Sequence, residues 1–160
     1  MFADWIEPDY RKLLENDLRR TKSMDAFGIK GAETQAEIIK ILHKNIEHFL
    51  DHFYYQLGHS SSYPASFYPH SYGLDVLKDQ CQQLYLHDDN DLTLRNQELA
   101  YKATQGMHQE RPPGAGKSIC RFEFFEIFIR LATKKYFDSG KCGKADEAMQ
   151  TFIDSHLKPG

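Results

Sequence analysis

The stretch from Phe122 to Ala132 constrains the fold of this chain more than any other feature of its sequence. Eight of its eleven residues are apolar, and four of them are phenylalanines. At the helical repeat of about 3.6 residues, these side chains cover almost every face of one helix. Such a helix is stable only when other elements surround it. The segment is therefore predicted to be the buried centre of an all-α fold.

The rest of the sequence predicts the helices that surround this centre. Apolar residues recur at helical spacing in five other segments, and no β-hairpin signal or internal repeat stands out. Thr34 and Glu37 have the spacing of a capping box at the start of the longest helix. We expect a single-domain bundle of about six helices over residues 1–160. Its parts would be N-terminal helices (1–58), a loop rich in aromatic, Ser and Pro residues (59–73) and a C-terminal helical region (74–157).

Charge and cysteine content limit the partners that can be expected. The 20 basic and 23 acidic residues give a net charge of -3, so no overall field attracts nucleic acid or an anionic membrane. No apolar run approaches the roughly 18 residues of a membrane span. The three widely spaced cysteines suit reduced thiols in an intracellular protein. We therefore expect a cytoplasmic protein with no nucleic-acid or membrane partner.

Two local patterns resemble parts of ligand-binding motifs, and one common catalytic motif is absent. The segment GAGKS (114–118) resembles the end of a phosphate-binding loop, but the required first glycine is replaced by Arg111. His48 and His52 have a spacing that could place two imidazoles on one metal, yet no third ligand is evident. No serine lies in a GxSxG turn. We expect no enzyme activity, while a metal- or nucleotide-dependent enzyme using His48, His52 or Lys117 remains the alternative.

Two segments follow part of the pattern of a calcium-binding EF-hand loop. In the 87–98 segment, Asp89 and Asp91 take positions 3 and 5 and Glu98 takes position 12, whereas His87 replaces the first carboxylate and Leu92 the turn glycine. In the second segment, Ile119, Glu123 and Phe124 fit the end of a loop whose start has no carboxylates. No cofactor is expected. If calcium binds, its ligands would be Asp89, Asp91, Thr93 and Glu98.

The alternative interpretation of the 87–98 segment is structural. It treats the segment as an acidic turn between helices, with Asp91 or Thr93 as the N-cap of the second helix. The acid pair Asp88 and Asp89 would then cap backbone groups or compensate a helix dipole.

Residues 74–157 resemble the degenerate, calmodulin-like pairs of EF-hands in large cytoskeletal and ciliary proteins of flagellated eukaryotes. The resemblance rests on RFEFFEIFIRLATKKYF (121–137) and on KADEAMQTFIDSHLKP (144–159). It implies a scaffold whose groove or outer face binds a helix or loop of a protein partner, without calcium. A cytoskeletal or axonemal partner, and a place in the cilium, flagellum or cytoskeleton, are implied by the same resemblance.

The loop before this region offers candidate contacts to a partner. Its aromatic residues are too many for a flexible linker, and aromatic side chains are common anchors in protein interfaces. The partner-binding residues predicted from the sequence are Tyr63, Phe67, Tyr68 and Tyr72. We therefore expect a non-catalytic protein-interaction domain, with a calcium sensor using the 87–98 loop as the alternative.

Overall fold

A computed structural model describes residues 10–19, 29, 31–52, 73–106 and 123–158, and within these ranges the chain is helical, without a β-strand. The prediction of an all-α chain is confirmed for this part. The α-helices are α1 (Tyr10–Arg19), α2 (Ala32–Lys44), α3 (46–52), α4 (Leu74–Gln83), α5 (Leu94–Gly106), α6 (Phe124–Ala132) and α7 (Ala145–Phe152). A first π-helix (Thr133–Phe137) extends α6, and a second π-helix (Ile153–Leu157) extends α7.

Helix α6 lies in the centre, as its composition predicts. Every one of its residues except Arg130 is buried. Phe49 of α3 packs edge-on against this helix, with ring centroids 5.3 Å from Phe125 and 5.6 Å from Phe128. On the other side, the ring of Phe152 in α7 lies 5.7 Å from that of Phe128. The phenylalanines of three helices therefore form one continuous core.

The long helix predicted from residue 34 begins earlier and is broken at Asn45. The buried Asn45 side chain donates a hydrogen bond from Nδ2 to the Ile41 carbonyl at 2.9 Å. Such a side-chain bond competes with the regular helical pattern. Because α2 and α3 are separate, the described residues contain seven α-helices where about six were predicted. The capping-box prediction is also wrong, since Gly31 is the N-cap and Thr34 and Glu37 lie inside α2.

Helix α4 ends in a Schellman motif whose left-handed residue is not glycine. Leu86 N–H donates to the Cys81 carbonyl at 2.8 Å, and Tyr85 N–H donates to the Gln82 carbonyl at 3.1 Å. Tyr85 has a φ of 58° and an exposed side chain. Glycine is usual at this position because it has no Cβ to strain the backbone. The turn places Leu86 in the core and leads directly into the acidic segment.

The contacts between the other helices determine where grooves open on the surface. Helix α2 packs against α1 and α7, while α5 packs against α4 and α6. None of the helices in the described ranges is long and apolar enough to cross a membrane.

Candidate functional site

The acidic segment after α4 is organised by Asp88. Its Oδ1 accepts hydrogen bonds from the backbone N–H groups of Asn90, Asp91 and Leu92. Thr93 then caps α5, because its Oγ1 accepts a hydrogen bond from the Asn96 N–H at 3.2 Å. These contacts confirm the interpretation of an acidic turn with Thr93 as the N-cap.

The side chains of the candidate calcium loop point to separate partners. Asp89 is fully exposed, and its carboxylate lies 3.9 Å from the His87 ring. The Asp91 carboxylate forms an ion pair with Lys141 at 3.0 Å, and Glu98 forms one with Lys102 at 3.2 Å. Across the described residues, no three His, Cys, Asp or Glu side chains lie close enough together to hold a metal ion. The four predicted calcium ligands are therefore not brought together.

A buried lysine from the first π-helix completes the organisation of this turn. The Lys135 side chain is only 9 % exposed, and its Nζ donates to the Leu86 carbonyl at 2.8 Å and to Asp88 Oδ2. Burial opposes ionisation of Asp88, but the Lys135 hydrogen bond and the backbone N–H donors outweigh it. Together they hold the pKa of Asp88 far below its ordinary value. The pair joins the end of α4 to the extension of α6.

The second π-helix reaches the same turn through His156. Its Nδ1 donates to the Leu84 carbonyl at 2.8 Å, and its Nε2 accepts a hydrogen bond from the Tyr136 hydroxyl at 2.6 Å. Burial is the largest influence on this ring, and with the nearby Lys135 ammonium it lowers the pKa of His156. The neutral ring thus connects α7, the first π-helix and the end of α4.

This polar cluster, which comprises Asp88, Lys135, Tyr136 and His156, was not found by sequence reasoning. Its members come from three segments that are distant in the sequence, and none belongs to a recognisable motif. π-helices are rare and often mark functional positions, but the hydrogen bonds of Lys135, Tyr136 and His156 join elements of the fold. Burial raises the pKa of the Cys81 thiol to about 12, although the Lys135 ammonium acts in the opposite direction, so this thiol stays protonated near neutral pH.

The other residues singled out from the sequence do not form a catalytic arrangement in the described structure. His52 Nε2 lies 3.4 Å from the Leu157 carbonyl, and burial lowers the pKa of this ring. His48 is partly exposed on the same helix. Lys117 and the predicted partner-binding residues Tyr63, Phe67, Tyr68 and Tyr72 lie outside the described residues.

An open groove between α5 and α6 is the most distinctive surface near the polar cluster. We call it the α5–α6 groove. Asn96, Leu99, Ala100 and Ala103 line it on α5, while Arg130, Thr133, Lys134 and Asp138 line the opposite wall. The α5 residues recur at helical spacing and therefore share one face. Tyr101 and Thr104 on the adjacent face are buried, so α5 is held firmly while its groove face stays open.

The size and chemistry of this groove suit a side chain better than a large ligand. Its volume is about 250 Å³, below the roughly 300–1,000 Å³ of typical small-molecule sites. A cavity of about 150 Å³ accommodates a benzene ring. Leu99, with half of its surface exposed, provides an apolar wall. Lys134 forms no ion pair with any described residue.

No family model, curated protein or solved structure matches this chain.

Proposed function

We propose that this chain is a non-catalytic, calcium-independent protein-interaction domain that binds a partner segment in the α5–α6 groove. The observation that carries the proposal is the exposed Leu99, which stands beside two alanines in an open groove between two firmly packed helices. Large apolar side chains on α6, by contrast, are buried. An apolar side chain left at the wall of a groove is available to a partner.

The shape of the groove favours the helix-in-groove mode of recognition. Ala100 and Ala103 have small side chains, so a partner backbone can approach α5 closely. One large apolar side chain of the partner would fill the space beside Leu99, where it would lose its contact with water. The Lys134 ammonium at the rim would then pair with an acidic or carbonyl group of the partner. Such a central anchor with a polar rim is typical of binding sites for peptides.

Calcium independence is supported by the contacts of the candidate ligands. Asp91 and Glu98 are each paired with a lysine, and Asp88 is occupied by Lys135 and by backbone donors. A calcium ion would have to displace these cations and draw the carboxylates together. A cytoskeletal or axonemal protein is the first partner class to test, because the resemblance of residues 74–157 to EF-hand-like domains points to it.

Site-specific photo-crosslinking tests the proposed groove. A benzophenone amino acid placed at Ala103 would crosslink a protein partner in extracts of the source cells, and unlabelled wild-type protein would compete. The same amino acid at Arg95, on the exposed side of α5, is the positional control. We expect a discrete competed product at position 103 and none at position 95.

Two polar substitutions separate binding in the groove from general surface adhesion. Leu99→Asn should abolish the competed product because it removes the apolar wall. Leu94→Asn is the matched control, since Leu94 is 46 % exposed on the same helix but does not line the groove. Equal capture by the two variants, or equal crosslinking at positions 95 and 103, would show that the groove is not the binding site.

A further inference from the structure

A second groove lies between α1 and α2 and differs from the first in its chemistry. Its volume is about 440 Å³, and its apolar floor is formed by Leu18, Ala36 and Ile39. Along one side, Lys40, His43 and Lys44 of α2 are all exposed. Helical spacing places these three basic side chains on neighbouring positions of two successive turns. We call this surface the α1–α2 groove.

The acidic residue of this groove is already paired. Glu15 accepts a hydrogen bond from Arg11 Nε at 3.1 Å, and the same arginine binds Glu47 of α3. Arg11 thus supplies a counter-charge to the carboxylate on the α1 side of the groove and shares it with Glu47. The charge that remains on the lining residues is positive.

The lysines of the rim are not held by a close carboxylate, although Lys44, after Lys158 and Gln150, contributes to lowering the pKa of Asp154. Among the described residues, neither Lys40 nor Lys44 forms an ion pair. On their other side they border a crevice with the acidic residues Glu37, Asp146 and Glu147, but no ion pair spans it. Like charges four residues apart on a helix repel each other. A carboxylate supplied from outside would relieve this repulsion.

We infer that the α1–α2 groove binds an acidic amphipathic helix of a partner protein. Apolar side chains of that helix would cover Ala36 and Ile39, and its carboxylates would pair with Lys40 and Lys44 beside His43. The partner's carboxylates would thus meet the positive charge of the rim, and its apolar side chains would meet the apolar floor, as in other complementary interfaces. This surface is separate from the α5–α6 groove, so either site can exist without the other.

A membrane surface fits the same groove poorly. Proteins that bind the bilayer interface insert projecting apolar side chains between the lipids. Here the apolar residues are recessed, since Leu18 is 1 % exposed and Ile39 is partly buried. The groove can receive side chains, but it offers none that would enter a bilayer.

Selection from a displayed peptide library tests the inference on the whole chain. The library consists of helical peptides with Ala, Leu or Phe at the apolar positions and Glu, Gln or Lys at the remaining positions. We expect wild-type protein to select peptides rich in Glu with Leu or Phe on one face. Affinity of a selected peptide is then measured by fluorescence anisotropy, with phosphatidylserine vesicles as a parallel ligand.

Charge reversal locates the binding site. In Lys40→Glu/Lys44→Glu we expect affinity to fall by about tenfold or more, because two attractive surface pairs become repulsive. Lys102→Glu/Lys144→Glu makes the same change of net charge at exposed lysines that line neither groove, and should change affinity by less than about twofold. Leu99→Asn should leave affinity unchanged. Circular dichroism and thermal unfolding verify that each variant is folded.

Four results would overturn the inference. They are a library that yields no binders, selected peptides without excess Glu, an equal loss of affinity in the two charge-reversal variants, and binding to the vesicles without binding to acidic peptides.

Discussion

Removal of the Asp88 carboxylate should destabilise the fold more than removal of its lysine partner. In Asp88→Ala, the Lys135 ammonium stays buried without its counter-charge, and three backbone N–H groups lose their acceptor. Breaking a buried ion pair by deleting one partner costs about 3–5 kcal/mol. We take the lower value, about 3 kcal/mol, because 26 % of the Asp88 side chain is exposed to water.

Lys135→Met should cost less, about 1–2 kcal/mol. The Asp88 carboxylate keeps its backbone donors and its contact with water, while the Leu86 carbonyl loses one donor. The effect of Lys135→Met on the free energy of unfolding should change sign when Asp88 is already replaced by alanine. When Asp88 is already alanine, Lys135→Met removes an uncompensated buried charge and should restore about 1 kcal/mol or more.

Urea unfolding followed by far-UV circular dichroism measures these differences. For a chain of this size, about 3 kcal/mol corresponds to a fall in Tm of roughly 6–12 °C. The comparison requires equal m-values, so that changes of midpoint report stability alone. Two results would contradict a cost of burying Lys135 without its counter-charge. They are an Asp88→Ala/Lys135→Met variant no more stable than Asp88→Ala, and equal losses of stability in the two single variants.

Three further predictions concern other parts of the structure. Tyr85→Gly should raise the free energy of unfolding by about 0.5–1 kcal/mol in thermal unfolding, because the left-handed φ strains a residue with a Cβ; Tyr85→Ala should give no gain, and an equal gain would contradict this cause. The folded pKa of His156 lies below its ordinary 6.5, so the unfolded chain takes up the proton first and stability falls as pH drops below that value. His156→Gln should therefore flatten the loss of Tm between about pH 7 and 5; an unchanged slope in this variant would exclude the ring as the cause. Millimolar calcium should leave the Tm unchanged relative to chelator in both wild type and Glu98→Gln; a rise in wild type that Glu98→Gln abolishes would favour a calcium sensor.

The sequence was sufficient to predict the central helix because the evidence for it is local. Apolar residues on every face of Phe122–Ala132 can be satisfied only by burial. Within Phe124–Ala132, the structure buries every one of them. The break at Asn45 was missed because the apolar pattern continues across it from Leu42 to Phe49. The break is visible in the structure, where the Asn45 backbone leaves the helical region, with φ -106° and ψ 20°, and the Asn45 side chain donates to the Ile41 carbonyl.

The polar cluster and the two grooves depend on contacts between distant segments. In the sequence, Lys135 cannot be distinguished from an exposed lysine of a helix. It is buried because the turn after α4 lies against it and accepts its hydrogen bonds. The EF-hand pattern in the 87–98 segment places acidic residues at ligand positions but gives no information on where their side chains point. Glu98 points to Lys102 and Asp91 points to Lys141, because each carboxylate forms an ion pair with that lysine. Leu99 likewise looks like a core residue until the position of α6 is known.

The end of α4 has a consequence for the order in which the chain can acquire its fold during synthesis. The carbonyls of Leu84 and Leu86 are satisfied by His156 and Lys135, side chains that leave the ribosome 72 and 49 residues later. Until then, these carbonyls can accept hydrogen bonds only from water, and neither side chain holds the turn in place. A nascent chain stalled before residue 135 should therefore present a frayed α4 to chaperones and proteases, whereas emergence of the second π-helix would close the turn.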